Sequence, residues 1–561
     1  MLNPIGKLRR TYRHVARWRE ITRVLLKHGF GEFASKTGLR RRFHRFRRRS
    51  QAEIESERTL TRHARIRLAL EELGPTFVKL GQMLSTRTDI VPPELVTELE
   101  KLQDAVHPFT GDEAWEILSR EYGGDPGARL AGFERVPIAS ASIAQVHEAR
   151  TLDGARIVLK IQRPNIARLI EVDLEIMAEL AALTERFVHG AAVLQLGRLV
   201  QEFGRSIRRE LDFALEANNM EQFAGHFAGD RTFHVPAVRR ELCTPRVLAM
   251  EYAEGVKVTN FEELAALGLD RRVIAERGSQ ILLRQVFEFG LFHADPHPGN
   301  VLILPGNVIC LLDYGSVGIL SERHRELLGN LIIGFASRDE ARIAHAFLQM
   351  AGYTGFERTE EVETDITSFL QDNLYRPLHD IHIGRVLGDL TRLLVRHNIR
   401  MPPGFFLLIR SLTTLEGVGR LLVPDFDLLH YAAPSARRLL RDRLRPGRLL
   451  HELFMSALET RGIVRDFPFE VRQVMAMVKQ GTKVRLRHEG LEEVRRSNDQ
   501  ISNRIVFAIV LAALIVGSSL LVLSGLPPKW HEVPVIGLGG VVVSGLMGFW
   551  LLYSILKHGR M

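Results

Sequence analysis

His293-Ala294-Asp295-Pro296-His297-Pro298-Gly299-Asn300, followed by two short apolar runs around Pro305-Gly306-Asn307 and then by Leu311-Leu312-Asp313-Tyr314-Gly315, is the stretch that decides the fold. Asn300 lies five residues after Asp295, and Asp313 thirteen after Asn300. Phosphoryl transfer asks for a carboxylate that orients the nucleophile and for hard oxygen donors that hold Mg2+ against the phosphates. The protein-kinase signature sets an Asp five before an Asn and an Asp-x-Gly beyond it. This segment repeats that order, so Asp295 is the candidate catalytic residue and Asn300 and Asp313 are the candidate metal ligands, with ATP and Mg2+ as the implied cofactors.

Upstream, residues 136–161 read as an apolar strand, a small-residue loop Ala139-Ser140-Ala141-Ser142, a second strand through Val146, an Asp153-Gly154 turn and a third strand Arg156–Ile161. Kinases hold the α- and β-phosphates with a lysine on such a third strand. Lys160 sits there, and strand alternation puts it on one face with Val158 and Gln162, while Ile157, Leu159 and Ile161 share the other. Its residue type is informative too. The chain has eleven lysines against sixty-five arginines, and only Lys79, Lys101, Lys160 and Lys257 lie between residues 37 and 478. Lysine is a compact point charge on a mobile stem, where arginine is a rigid fork. Residues 136–148 contain no glycine, so this loop lacks the close backbone approach of a glycine-rich phosphate loop. That favours an ATPase over a kinase acting on proteins.

The 561 residues exceed what one hydrophobic core usually serves. Residues 1–50 carry sixteen Lys/Arg and two acids, a balance of +14 within a net charge of +10, so the other 511 residues sum to −4. A body without a basic face speaks against nucleic acid. Two cysteines, Cys243 and Cys310, exclude a disulfide scaffold or a four-cysteine metal site. His293 and His297 are four apart, but Pro296 and Pro298 break any helix that would present them to zinc.

At the C-terminus, Ile505–Leu526 and Val533–Leu556 are uncharged runs of 22 and 24 residues, each long enough to span about 30 Å of hydrocarbon as a helix. Arg495, Arg496, Arg504, Lys557 and Arg560 flank the outer ends, which puts both ends in the cytoplasm. Gly540, Ser544 and Gly548 form a small-residue stripe suited to close helix packing. At the N-terminus, Trp18, Val24, Leu25, Leu26, Phe30 and Phe33 among arginines, then the run Arg40–Arg49, read as a basic amphipathic segment for anionic lipid surfaces. A solvated basic tail or a transit peptide are the alternatives.

Lys79-Leu80-Gly81-Gln82, Pro137–His147, Glu210-Leu211-Asp212-Phe213 with Glu216-Ala217-Asn218, and the His293–Asn300 segment together resemble the UbiB/ADCK family of atypical kinase-like ATPases linked to ubiquinone biosynthesis. The resemblance covers roughly residues 60–420. It implies an α+β, two-lobed protein-kinase-like fold with an N-terminal helical extension and a C-terminal transmembrane helical hairpin. The corresponding division is 1–60 basic segment, 61–130 helical extension, 131–255 kinase-like N-lobe with a helical insert, 256–500 helical C-lobe and 501–561 membrane helices. It further implies that Lys160 and the Ala139–Ser142 loop bind nucleotide, that Glu216 pairs with Lys160, and that Lys79 and Gln82 lie on a regulatory helix across the site, with Lys79 received by Glu210 and Asp212. From the residues alone, Glu210 and Asp212, in a charged helix after Arg208-Arg209, read more readily as members of surface charge pairs at i,i+4-type spacing. Gly81 reads as a weak point that eases opening of that helix. Tyr314 stands where Phe is usual and Ser140 interrupts an alanine loop.

The expected function is a membrane-anchored protein of the cell inner membrane, multi-pass, its kinase-like part cytoplasmic, that binds Mg-ATP and hydrolyses it or transfers its phosphoryl group in support of quinone biosynthesis. The expected partners are membrane and quinone-precursor lipids, quinone-biosynthesis enzymes and a second copy of the chain. The competing reading is a nucleotide-gated lipid-binding or scaffold protein with incidental turnover.

Overall fold

The computed structural model describes residues 4–30, 61–87, 90–102, 108–187, 195–353, 359–374, 382–397, 399, 401–443, 491–530 and 533–558. They fall into two units, within residues 1–450 and 451–561. Phe33, the Arg40–Arg49 run and all of 444–490 lie outside the described residues.

The first unit opens with helices α1 (Pro4–Lys27), α2 (Arg62–Leu73), α3 (Pro75–Ser85), α4 (Pro93–Leu99) and α5 (Gly111–Tyr122). Pro75 and Pro93, which look like breaks in the sequence, sit in the first turns of α3 and α4, where a missing N–H costs nothing. A capping box between Thr110 and Glu113 starts α5, and Gly123 in the left-handed region ends it.

Strands β1 (Leu130–Phe133), β2 (Ala139–Ser140), β3 (Ala144–Thr151) and β4 (Arg156–Gln162) follow, then α6 (Ile166–Phe187), α7 (Leu196–Glu210), α8 (Phe213–His226), β5 (Phe233–His234) and β6 (Val247–Glu251). The sheet runs β1-β3-β4-β6, antiparallel, with β2 also paired to β3. Its first strand lies at Leu130–Phe133, earlier than the expected one at Val136; Pro137 has no N–H for a ladder, and Val136 and Ile138 are exposed. The expected alternation holds. Ile157, Leu159 and Ile161 pack with Ala114, Ile117 and Leu118 of α5, while Val158 joins the larger core with Ile170, Phe213 and Ala217. Lys160, opposite Val146 and Leu248, lies on that second face.

The rest of the unit is β7 (Val256–Lys257), α9 (Phe261–Ala266), α10 (Arg271–Arg284) running into a wider turn at Gln285–Phe289, β8 (Leu291–His293), β9 (Val301–Leu304), β10 (Val308–Leu311) and β11 (Val317–Ile319). Helices α11 (Glu322–Ser337), α12 (Glu340–Met350), α13 (Thr359–Leu374), α14 (Ile383–Arg396), α15 (Pro403–Leu422) and α16 (Leu428–Arg443) complete it. Two small sheets, β5-β10-β9-β7 and β11-β8, carry the chain through the motif region. A sheet-bearing lobe followed by a mostly helical lobe is the α+β arrangement expected of a kinase-like fold.

One expectation is revised. The apolar face of α1 is used by the protein itself: Trp18, Ile21 and Val24 are buried in the main core. Arg17 donates to the carboxylate of Asp173 on α6 at 2.7 and 3.1 Å and to the Leu73 carbonyl at 2.6 Å, and the Trp18 ring N–H donates to Glu179. Those residues are therefore not free to enter a bilayer, because the helix finds a better-packed apolar surface on α2 and α6.

The second unit holds α17 (Leu491–Ser524), a short pairing of β12 (Lys529–Trp530) with β13 (Val533–Pro534), and α18 (Val535–His558). The helices pack antiparallel: a Cβ added at Gly537, Gly540 or Gly548 would meet Val522, Ser518 or Leu511, respectively. The predicted small-residue stripe is thus the contact face. Among the described residues, Val506–Ser524, with a mean hydropathy of 2.8, is long and apolar enough to cross a membrane, whereas the apolar stretch Val535–Trp550 of α18 is shorter.

Asp173 is fully buried and Arg17 answers its charge. Breaking such a pair by removing one partner costs about 3–5 kcal/mol, far more than replacing both with apolar residues. Arg17→Ala should therefore destabilise the protein by that amount in denaturant unfolding, and Arg17→Met combined with Asp173→Leu by clearly less. Equal losses would mean that α1 is not seated as described.

Candidate active site

The site forms where β4, α8 and the segment after β10 converge. Asp212 accepts the Ala214 N–H and so caps α8. That cap sets the helix phase that turns Glu216 inward with Ala217, Met220 and Phe223. Lys160 Nζ donates to both Glu216 oxygens, at 2.8 and 2.9 Å, and lies 3.6 Å from Asp313 Oδ1. Lys79 on α3 reaches Glu210 at 2.6 Å. Two lysines therefore face three carboxylates.

The electrostatics follow from burial and this count. Burial works against the charge on Lys160, but Asp313, Glu216 and Glu210 outweigh it and hold the ammonium well above the usual lysine range. Burial, with the like charge of Asp313, pushes Glu216 up to about 7 against the pull of Lys160. Burial would also raise Asp313, yet Lys160, the Gly315 N–H, Lys79 and His293 together hold it well below the usual carboxylate range.

The motif loop is built from backbone constraints. β8 ends at His293, whose buried ring donates from Nε2 to the Asp313 carbonyl and accepts the Asp295 N–H at Nδ1, 3.2 Å away. Burial lowers the pKa of that imidazole. His297 accepts the Gly299 N–H and caps the single turn Pro298–Asn300. Both histidines thus serve the loop. The Leu312 N–H donates to the Asn300 carbonyl at 3.0 Å, tying the two candidate metal ligands to one backbone contact. Tyr314 is fully buried, edge-on to Phe223 and His293, and its carbonyl accepts from Asn219. The Phe-to-Tyr departure thus changes packing beneath the loop.

Among the described residues, no group of three or more His, Cys, Asp and Glu side chains would hold a metal on its own. Mg2+ needs no such cage, since it takes one or two protein oxygens and keeps waters and phosphates. Asn300 and Asp313 offer hard oxygens, the cluster carries surplus negative charge, and Asp295 Oδ1 is buried without a partner; these features fit a divalent cation.

Other placements differ from expectation. Asp212 is a helix cap. The Gln82 amide reaches the Leu102 carbonyl at 3.5 Å, at the edge of hydrogen bonding. Gly81 is a close-packing position: a Cβ there would lie 2.3 Å from Leu102 and 3.0 Å from Leu70, so α3 is seated firmly at that point. Ala139 and Ser140 pair with β3, and the Ala141 N–H donates to the Ala144 carbonyl, closing a tight turn with Ser142 buried at its tip. Two residues escaped the sequence reading. Arg410 of α15 donates to Asp295 Oδ2 at 2.7 Å, and Arg163 holds the Ala139–Ser142 loop. Among sixty-five arginines neither stands out, and Arg410 lies 115 residues from its partner.

With this geometry in hand, comparison with known proteins is decisive. Residues 101–347 match the ABC1 atypical kinase-like domain, 366–427 the UbiB helical domain and 489–557 the ABC1/UbiB kinase-like C-terminal domain. The chain is 34% identical over 478 residues to a "Probable protein kinase UbiB" of Pseudomonas putida, covering 84% of this chain and 87% of that one. The chain belongs to the UbiB/ADCK family of atypical kinase-like proteins. The corresponding protein of Pseudomonas paraeruginosa is 37% identical over 395 residues, 70% of this chain and 74% of that one. An "Uncharacterized protein in hydrogenase 1 5'region" of Clostridium pasteurianum is 30% identical over 498 residues, 88% of this chain and 93% of that one. The membership accounts for the combination of kinase-like motif order with the lysine-bearing helix α3.

Gly81→Ala tests the seating of that helix. Overpacking costs about 1–3 kcal/mol, against roughly 1 kcal/mol gained by replacing a helical glycine, so the variant should lose about 1 kcal/mol in thermal or denaturant unfolding. A stabilised variant would show that α3 does not press on Leu102.

Proposed function

We propose that this chain binds Mg-ATP between its two lobes and hydrolyses it, or transfers its phosphoryl group to a small or lipidic acceptor, in support of ubiquinone biosynthesis. The observation that carries the reading is the buried Lys160–Glu216 pair with Asp313 3.6 Å from the same ammonium. A lysine so held presents one fixed positive charge where the motif order expects the α- and β-phosphates. Asn300 and Asp313 would hold Mg2+, which supplies electrostatic neutralisation of the phosphate oxygens when bound. Asp295 is the carboxylate placed to orient a water or a hydroxyl, and Lys79 with Glu210 closes the side of the cleft that α3 covers. That cover disfavours a folded protein as acceptor.

In this reading α17 and α18 form a two-span anchor in the cell inner membrane, the kinase-like unit lies on the cytoplasmic face, and membrane lipids, quinone-precursor lipids and quinone-biosynthesis enzymes are its partners. Val506–Ser524 supports the first span by length and composition. The shared face of Gly540, Ser544 and Gly548 supports the second helix crossing beside it.

A second reading, a nucleotide-gated scaffold, draws on one observation: Arg410 already occupies one oxygen of Asp295, which leaves that oxygen closed to a nucleophile. Asp295→Asn separates the two. Abolished function in a complemented cell supports chemistry, and full function with retained nucleotide binding supports the scaffold.

The central test is ATP turnover by the purified protein with and without anionic liposomes and phenolic quinone precursors; stimulation by both is the expected result, and indifference to both would remove the membrane and quinone parts of the reading. Lys160→Ala should in addition lose most of its thermal stabilisation by Mg-ATP, because the cation at the α/β-phosphates is gone. Undiminished stabilisation would place the nucleotide elsewhere.

A further inference from the structure

The end of β4 holds more than Lys160. Gln162 donates to the Leu211 carbonyl at 2.8 Å, fixing the link between Glu210 and Asp212. Arg163, the next residue, turns to the opposite neighbour. Its Nε donates to the Ala141 carbonyl at 2.9 Å, its Nη2 to the Ser140 hydroxyl at 2.7 Å, and its own N–H to the Ile143 carbonyl at 2.9 Å. Ser140, Ala141 and Ile143, in and just after the small-residue turn, are thus bonded to one residue. The Phe109 ring lies 5.7 Å from the guanidinium carbon, and Phe109 is itself held through its N–H and carbonyl by the Gln145 amide, at 2.9 and 3.0 Å.

Register says where this matters. Ala144 pairs with Gln162 and Val146 with Lys160, so the turn projects past the end of the strand that presents the nucleotide lysine. A glycine-rich loop in that place is free to move over a nucleotide. Here the loop has no glycine and is bracketed by a planar fork, which a lysine would not reproduce. Ser140, the residue that interrupts the alanine loop, is the acceptor of one arm of the fork.

We propose that Arg163 is a positioning residue that fixes the Ala139–Ser142 loop in its nucleotide-receiving place before the nucleotide arrives, with Ser140 as its side-chain partner. The proposal rests on the nucleotide reading above for its functional part and on the loop geometry for its structural part. A pre-set loop spares the nucleotide the entropic cost of ordering it. Its loss falls on binding and leaves the chemical step alone.

Two measurements on the full-length protein test it. In hydrogen exchange without nucleotide, Arg163→Ala should speed exchange of the amides in 139–144, Ser140→Ala less so, and Arg163→Lys should recover only part of the protection. In turnover, Arg163→Ala should raise KM for Mg-ATP by about tenfold, the scale of one charge-assisted hydrogen bond, with kcat within about a factor of two. Adding Ser140→Ala to Arg163→Ala should cost little more, because the bond between the two side chains is already gone. Unchanged exchange in Arg163→Ala overturns the tether. A lowered kcat with unchanged KM marks simple loss of folded protein and overturns the positioning role. Faster exchange in a protein whose wild type neither binds nor turns over ATP would keep the tether and discard its nucleotide role, which separates this failure from failure of the functional reading.

Discussion

A lysine and a glutamate buried against each other, Lys160 on the sheet and Glu216 on α8, set the terms for the rest of the sheet-bearing lobe. Desolvating two charges costs several kcal/mol each and is offset only by close geometry and further hydrogen bonds. Both Glu216 oxygens accept from the one ammonium, so α8 must dock with its first turn against β4. The Asp212 cap starts the helix at the residue that makes this possible. Phe213, inside the first turn, lies under the ammonium with its ring centre 5.5 Å away, and Asn219 carries the same helix to the Tyr314 carbonyl. One ion pair therefore links sheet, helix and the segment that bears Asp313.

The helix α3 is bound into the same charge balance. Lys79 answers Glu210 and helps to depress Asp313, while Arg87 just beyond the helix bonds Glu202 on α7 and lies 5.0 Å from the Phe406 ring centre on α15. Gly81 lets Leu102 and Leu70 press directly on its middle. The helix is gripped along its length, so opening it would need several contacts to yield together.

The arginine-dominated composition also acquires a physical sense. Arg17 and Arg163 each spread a planar fork over carboxylates, carbonyls or hydroxyls drawn from other parts of the chain. These are fixed, multi-point contacts that arginine makes well. The two lysines of the candidate site, by contrast, act as point charges among carboxylates. The division of labour between the two cations is what made Lys79 and Lys160 conspicuous.

Read alone, the sequence settled whatever depends on order and spacing: the Asp295–Asn300–Asp313 series, the strand that carries Lys160, the hairpin of Val301–Leu304 with Val308–Leu312, the apolar C-terminal runs and the small-residue stripe in the second of them. These are local or periodic properties, and a period of two is legible without partners. Pairings across long separations were not legible. Arg410 meets Asp295 across 115 residues and Arg17 meets Asp173 across 156, and no local pattern distinguishes those arginines from the others. Nor does hydrophobic periodicity say what an amphipathic helix faces. The sequence of α1 suits a lipid surface and a protein core equally; only the packed structure, by burying Trp18, Ile21 and Val24 and matching Arg17 to a buried carboxylate, decided for the core, because burial is a property of what surrounds a residue.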